Sequence, residues 1–196
     1  MIFNENILKK LITEAWKSEG LHIAKDNEDF ILSASHWGIR VNENVLTNKV
    51  KGKLVELIGI LPEAGEAWLA HKDSIQFEVE TGIDPAEYET GEIMYETTDI
   101  MLEQGTSTAR VLKNLYTREY CLINEVFKNL VSMKYLEEEY KEEPAEGPFA
   151  SARAVLWKNT YCSLICFQRS GDAKADKLLN ILTAAGKEQA DESNDM

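Results

Sequence analysis

Between Asp73 and Ala109 the chain has no lysine and no arginine, although the same stretch holds ten carboxylates. A segment of one sign cannot neutralise itself, so it faces solvent or meets cations supplied from elsewhere. Other absences narrow the chemistry. No apolar run approaches the roughly 18 residues a membrane-spanning helix needs. The start, Met1-Ile2-Phe3-Asn4-Glu5-Asn6, has neither a basic stretch nor a small-residue cleavage pattern, and a cytoplasmic location is expected. Cysteine is scarce: Cys121, Cys162 and Cys166 are odd in number, lie in apolar strand-like runs and are expected to be reduced core thiols. No Cys-x-x-Cys unit exists, and His22, His36 and His71 are distant in sequence from the cysteines, which argues against zinc. Gly-x-Ser-x-Gly and Gly-Lys-Ser/Thr are both missing, so neither a nucleophile elbow nor a phosphate loop is available. The acids from Asp73 to Glu103 lack an accompanying lysine to neutralise a phosphoryl transition state, and Glu78 and Glu80 are placed on one exposed face of a strand. No cofactor, no metal and no enzymatic activity is expected.

What remains is an acidic chain of 196 residues, net charge −13 and 44% hydrophobic, long enough to bury a proper core. Ile7, Leu8, Leu11, Ile12, Ala15 and Trp16 recur at helical spacing up to Gly20. Three strand-like runs follow, 21–25, 30–35 and 37–42, with turns between them. A second helix is predicted over 48–61, closed by Pro62, with Gly52 and Gly59 on its exposed side. A hairpin over 66–71 and 74–80 completes a first half, residues 1–80. The loop 81–91 connects it to a second half, 92–186. There, strand-like runs near 92–102, 109–113 and 119–123 precede a helix over 124–133 capped by Asn124. Residues 135–147 look like an acidic loop, 152–158 and 161–169 like a hairpin, and 172–185 like a helix burying Leu178, Leu179, Ile181 and Leu182. The tail 187–196 is polar and acidic, with the composition of a disordered end. Trp16, Trp37, Trp68 and Trp157 sit in apolar runs and are expected in the core. The fold class is α+β: antiparallel sheets with amphipathic helices, in two similar halves.

The stretch Lys53-Leu54-Val55-Glu56-Leu57-Ile58-Gly59-Ile60-Leu61-Pro62 leads into the hairpin 66–80, and 124–133 leads into a second hairpin. This order resembles that of DNA sliding clamps, in which each half-domain gives a helix to the inner wall of a ring and strands to its outer sheets. The second half departs from the pattern in having no helix ahead of its strands. The resemblance implies a non-enzymatic module acting on DNA or on the replication machinery. Lysines would then line the inner surface, because a duplex carries one phosphate charge per ~1.7 Å. Lys10 and Lys17 on the first helix, Lys51 and Lys53 on the second and Lys128 on the third are the residues placed there.

A different reading starts from the acids. A small interaction protein of the kind phages and mobile elements use could imitate phosphate with its carboxylates and occupy a nucleic-acid-binding enzyme. Glu78, Glu80, Glu87, Glu89, Glu92 and Glu96, with the acidic run 137–146, would form that surface. One further stretch, residues 110–134, is basic (net +3) and carries Tyr116, Tyr120 and Phe127 beside Arg110, Lys113 and Arg118. The expected partners are nucleic acid or a nucleic-acid-processing protein, with no membrane, and with self-association left open.

Overall fold

The structure, a computed structural model, describes residues 1–88, 93–131, 144–169 and 173–194, with side chains for all of these but 104 and 187–194. The chain is α+β with two antiparallel sheets. Helix α1 (Glu5–Lys17) begins where the Asn4 carboxamide accepts hydrogen bonds from the backbone N–H groups of Asn6 and Ile7, at 3.1 and 3.3 Å, replacing partners that a helix start lacks. Glu5 in its first turn and Lys17 in its last suit the helix dipole. Strands β1 (Leu21–Asp26), β2 (Asp29–Ala34) and β3 (Trp37–Asn42) form the expected meander.

Helix α2 (Asn48–Ile58) stops three residues before the predicted end. Gly59 lies outside it, at φ 85°, a left-handed conformation that glycine adopts without penalty, and its N–H closes the last turn on the Val55 carbonyl. Strands β4 (Ala67–His71) and β5 (Ser74–Phe77) follow. Glu78 and Glu80 therefore do not share a strand face: β5 ends at Phe77, Glu78 turns to φ 56°, and only the Val79 N–H returns to the ladder, on the Ala67 carbonyl at 3.1 Å.

The second half supplies β6 (Tyr95–Gln104), β7 (Ser107–Asn114) and β8 (Tyr120–Asn124), which form a three-stranded sheet. Helix α3 (Glu125–Leu130) starts at Asn124 as expected but ends early, because Val131 turns extended to bridge Phe3. A strand absent from the sequence reading, β9 (Glu146–Ser151), starts inside the supposed acidic loop. Its Pro148 is tolerated because β9 lies at the sheet margin. Strands β10 (Ala154–Lys158) and β11 (Cys162–Phe167) make the last hairpin. Helix α4 (Ala173–Asn194) continues through Gly186 into what the composition suggested was a disordered tail.

Strand order shows how the two stretches of chain interlock: β5-β4-β1-β2-β3-β11-β10-β9, with β3 and β11 paired antiparallel. One sheet thus contains strands from both sides of the 81–91 connection. A bridge from Met94 to Phe149, and the Ala150 N–H on the Ile93 carbonyl at 2.8 Å, then link β9 to the stretch that leads into β6.

Alternation along these strands sorts side chains to two faces. On one face Leu21, Ile23, Phe30, Leu32, Trp37, Ile39, Val41 and Leu164 meet the apolar stripes of α1 (Leu8, Leu11, Ile12, Ala15), α2 (Val50, Leu54, Ile58) and α3 (Phe127, Leu130) in one core. Trp37 is 1% exposed, and each such large apolar side chain contributes about 1.5–3 kcal/mol by leaving water. Trp68 and Trp157 are buried in the same core and Trp16 packs at its edge. Across the three-stranded sheet, Leu112, Cys121 and Ile123 join that core, while Ala109, Val111 and Leu122 face α4 through Ala175, Leu179 and Leu182. Ile181, expected inside, is 56% exposed because it falls off the 175–179–182 stripe by more than a third of a turn.

The other face of the large sheet is covered by a strap, residues 81–88. Ile83 and Tyr88 pack on Leu156, Ile165 and Phe167, with the Tyr88 and Phe167 rings edge to face. The strap lies so close that a Cβ on Gly38 would strike the Ile83 carbonyl, and one on Gly82 would strike Ser33 and His22. Asp84 is 7% exposed, with one oxygen accepting from the Ala86 N–H at 2.9 Å and the other bonded to Arg40 Nη1 at 2.8 Å. Arg40 also reaches Asp29 at 2.8 Å and Asp26 at 2.6 Å. Burial works against its charge, but the hydrogen bonds it donates to Asp26 and Asp29 and the charges of Asp84 and Asp29 outweigh it and raise its pKa. One arginine thereby ties part of the lysine-free segment to the face opposite the three helices.

Candidate nucleic-acid interface

Helices α1 and α2 bury one stripe each and leave the other to solvent, and between the two outer stripes runs an open groove of about 920 Å³. On α1 it is lined by Asn6, Lys9, Lys10, Thr13, Glu14 and Lys17, and on α2 by Lys49, Gly52, Lys53 and Glu56. The α2 set follows i, i+3, i+4, i+7, one face of a helix, and the α1 set follows the same rule from Asn6 through Lys17. Five lysines against two glutamates give the groove a net charge of +3, in a chain whose total is −13.

Several of its side chains are held. Lys53 pairs with Glu56 at 2.9 Å, one turn along the same helix. Lys49 reaches Glu5 at 3.4 Å. Burial raises the pKa of Glu5, but hydrogen bonds with Thr47 and Lys49 and the charges of Lys49 and Lys9 prevail and lower it. Thr13 turns its hydroxyl back to donate to the Lys9 carbonyl at 2.7 Å, so it does not compete for a ligand. Lys10 and Lys17 are exposed and make no ion pair with any described residue. At Gly52, nothing lies within 4 Å of where a Cβ would stand. A mid-helix glycine costs about 1 kcal/mol relative to alanine, and no packing neighbour explains this one. Its effect is a low floor in the groove. From Lys9 to Lys17 the cations span roughly 12 Å along α1, about the rise of three to four base pairs.

Of the lysines expected on this surface, the structure brings Lys10, Lys17 and Lys53 together. Lys51 is not among them. Two residues from Lys49 is about 200° around the helix, and Lys51 instead faces Glu43, whose carboxyl is lowered first by a hydrogen bond from Lys25. Lys128 is exposed on α3, close enough to Glu125 to lower its pKa, and does not line the groove. Lys9 and Lys49 were missed, though their spacing from Lys10, Thr13 and Lys53 was a sufficient signal.

The described residues of the acidic set lie on separate elements. Glu78 and Glu80 follow β5, Glu87 lies in a 3-10 turn (Pro85–Glu87), and Glu96 is in β6 opposite Lys113 of β7. Glu89, Glu92 and residues 137–143 lie outside the described residues. The basic and aromatic stretch disperses as well. Arg110, 8% exposed, spends its guanidinium on Glu125 in two bonds of 2.6 Å and on the Thr98 carbonyl at 2.9 Å, and Tyr116 stands alone in solvent. Among the described residues no group of three His, Cys, Asp or Glu side chains is placed to hold a metal ion, and no helix is long and apolar enough to cross a membrane. The three cysteines are buried and unbridged.

No protein-family model matches the chain, and no curated protein does. Among solved structures it is similar to a DNA polymerase III beta chain from Streptococcus pneumoniae, at 12% identity and a TM-score of 0.37, covering 87% of this chain and 64% of that one. It is likewise similar to the beta subunit from DNA polymerase of Streptococcus pyogenes, at 11% identity and a TM-score of 0.34, with 87% and 64% covered. The chain thus spans less than two thirds of the length of these proteins, and the likeness is one of fold.

Proposed function

We propose that this chain is a non-enzymatic, clamp-like binding module that engages the backbone of duplex DNA with the paired outer faces of α1 and α2. The supporting observation is the groove: five lysines on adjacent helix faces of a strongly acidic protein, with Gly52 leaving room for close approach. Phosphate contacts of this kind supply affinity without reading sequence, because Lys is a point charge with no base-edge geometry. The acidic exterior disfavours binding elsewhere on the molecule, and the strap carrying Asp84 is tied to the opposite side of the sheet.

The test is a fluorescence-anisotropy titration of a labelled duplex of random sequence at low salt. Wild type is compared with a Lys10→Glu, Lys17→Glu, Lys53→Glu variant and with a control, Lys72→Glu, Lys158→Glu. The groove variant is expected to lose binding by at least about tenfold, since each charge reversal removes one phosphate contact and adds a repulsion. Equal affinity of wild type and groove variant overturns the assignment.

A further inference from the structure

A second concave site lies at the seam of the two sheets, independent of the lysine groove. It is a crevice of about 380 Å³ lined by His36 from the β2–β3 turn, Ser107 at the start of β7, Asn124 at the N-cap of α3, and Phe167, Gln168 and Arg169 at the end of β11, over the buried ring of Phe127. Among the described residues no carboxylate lines it. That is unusual in a chain with 34 acids against 21 Lys and Arg.

The backbone fixes these residues before their side chains are considered. The Phe167 N–H donates to the His36 carbonyl at 3.0 Å, and the Arg169 N–H to the Leu122 carbonyl at 2.7 Å, so three elements meet at defined distances. Arg169 Nη1 donates to Ser107 Oγ at 2.8 Å, which aims the guanidinium along the crevice. Its Nε and Nη2 have no partner among the described residues. His36 is similarly placed. Its Nδ1 lies 3.1 Å from Ser35 Oγ and 3.7 Å from Glu19, with Ser35 donating to Glu19, and its ring stands edge to face on Phe127 at 5.8 Å. Nε2 is left without a described partner. Asn124 uses its oxygen to accept from the Val126 N–H at 3.1 Å, which leaves its NH2 group as a donor. Gln168 gives its NH2 group to Tyr95 Oη at 3.1 Å.

The geometry points to a binding site for a small oxyanion group, phosphate or carboxylate, held by Arg169 with Asn124 as a flanking donor, beside the His36 ring. The inventory is led by donors: a planar guanidinium with two directed N–H groups to spare and an amide. Such a set, with no competing carboxylate among the described lining residues, suits an oxyanion better than a cation. The volume lies at the lower end of ligand pockets and admits the anionic end of a metabolite, not a duplex.

Inorganic phosphate and acetate are titrated separately into isotope-labelled full-length protein, following the Arg169 side-chain N–H resonance and the backbone amides of residues 35–37, 107, 124 and 167–169. A saturable shift confined to these groups is expected with at least one anion. Arg169→Gln is expected to weaken it about tenfold or more, the value of one charge-assisted hydrogen bond. Saturation by phosphate alone assigns a phosphate-bearing ligand, and saturation by acetate alone a carboxylate. Linear, non-saturating shifts overturn the proposal, and so do shifts centred on the α1 and α2 lysines. Should Arg169→Gln fail to fold, Asn124→Asp, which keeps the cap but adds a charge to the wall, is expected to abolish the response. An unchanged response in that variant also overturns the proposal.

Discussion

Replacing Arg40 with methionine keeps the side-chain volume but removes the cation that three carboxylates share. The consequence can be sized from their surroundings. Asp26 is half exposed, so its pair is worth less than about 1 kcal/mol. Asp84 is different: it is nearly closed off from water, and without Arg40 its charge retains only the Ala86 N–H. Breaking a buried pair by removing one partner costs about 3–5 kcal/mol, and the surviving hydrogen bond places this case near the lower end. At 196 residues, about 3 kcal/mol lowers Tm by about 6–12 °C. Circular dichroism melts at neutral pH measure this, and hydrogen exchange at Ala86 and Glu87 reports whether the strap loosens first. Adding Asp84→Asn to Arg40→Met removes the stranded charge and is expected to recover part of the loss. A drop below about 2 °C, or a double variant no more stable than Arg40→Met, refutes the view that this arginine anchors the strap.

Gly38→Ala forces a methyl group against the Ile83 carbonyl, a backbone atom that cannot rotate aside, and is expected to lower the urea midpoint by an amount equivalent to about 1–3 kcal/mol. Acid should weaken the Arg110–Glu125 pair in a defined direction. Hydrogen bonds from Arg110 hold the Glu125 carboxyl below its ordinary value, so its contribution is complete above the unfolded value of about 4.3 and is lost as pH falls through the lower folded value. Between about pH 5 and 3 the wild type should therefore lose more stability than Glu125→Gln, and parallel curves would exclude the linkage. The thiols offer a simpler check. Burial pushes Cys121 up to about 12 and Cys166 well above the ordinary thiol value, so Ellman's reagent should label none of the three cysteines in the native protein and all three in denaturant.

Local pattern made much of this fold legible. The stripe from Ile7 to Trp16 and the alternation in residues 21–42 place α1 and the β1–β3 meander almost to the residue, because both faces of those elements differ sharply in polarity. The pairing of β3 with β11 had no such signal, since contacts between residues over 100 positions apart leave no mark on local periodicity. Strand β9 was hidden by Pro144 and Gly147, which read as loop residues, although Gly147 is compatible with a strand at the sheet margin. The strap looked like a linker because Gly82 and Pro85 read as loop residues, whereas its fixation depends on Gly38 and Arg40, more than 40 residues earlier. At the lysine groove, helix identity is legible in the sequence, and angular position decides membership: Lys9 and Lys49 share the outer face with Lys10 and Lys53, whereas Lys51 lies about 200° around α2 from Lys49.

The charge sorting has its most direct test in the salt dependence of duplex binding. Contacts from four or five lysines predict that log K falls with log salt at a slope of about −3.5 to −4.5, and that Lys10→Glu, Lys17→Glu, Lys53→Glu flattens it by about 2.7 or more. A wild-type slope shallower than about −1, or one that the three reversals leave unchanged, would contradict the assignment of the α1 and α2 face to nucleic acid.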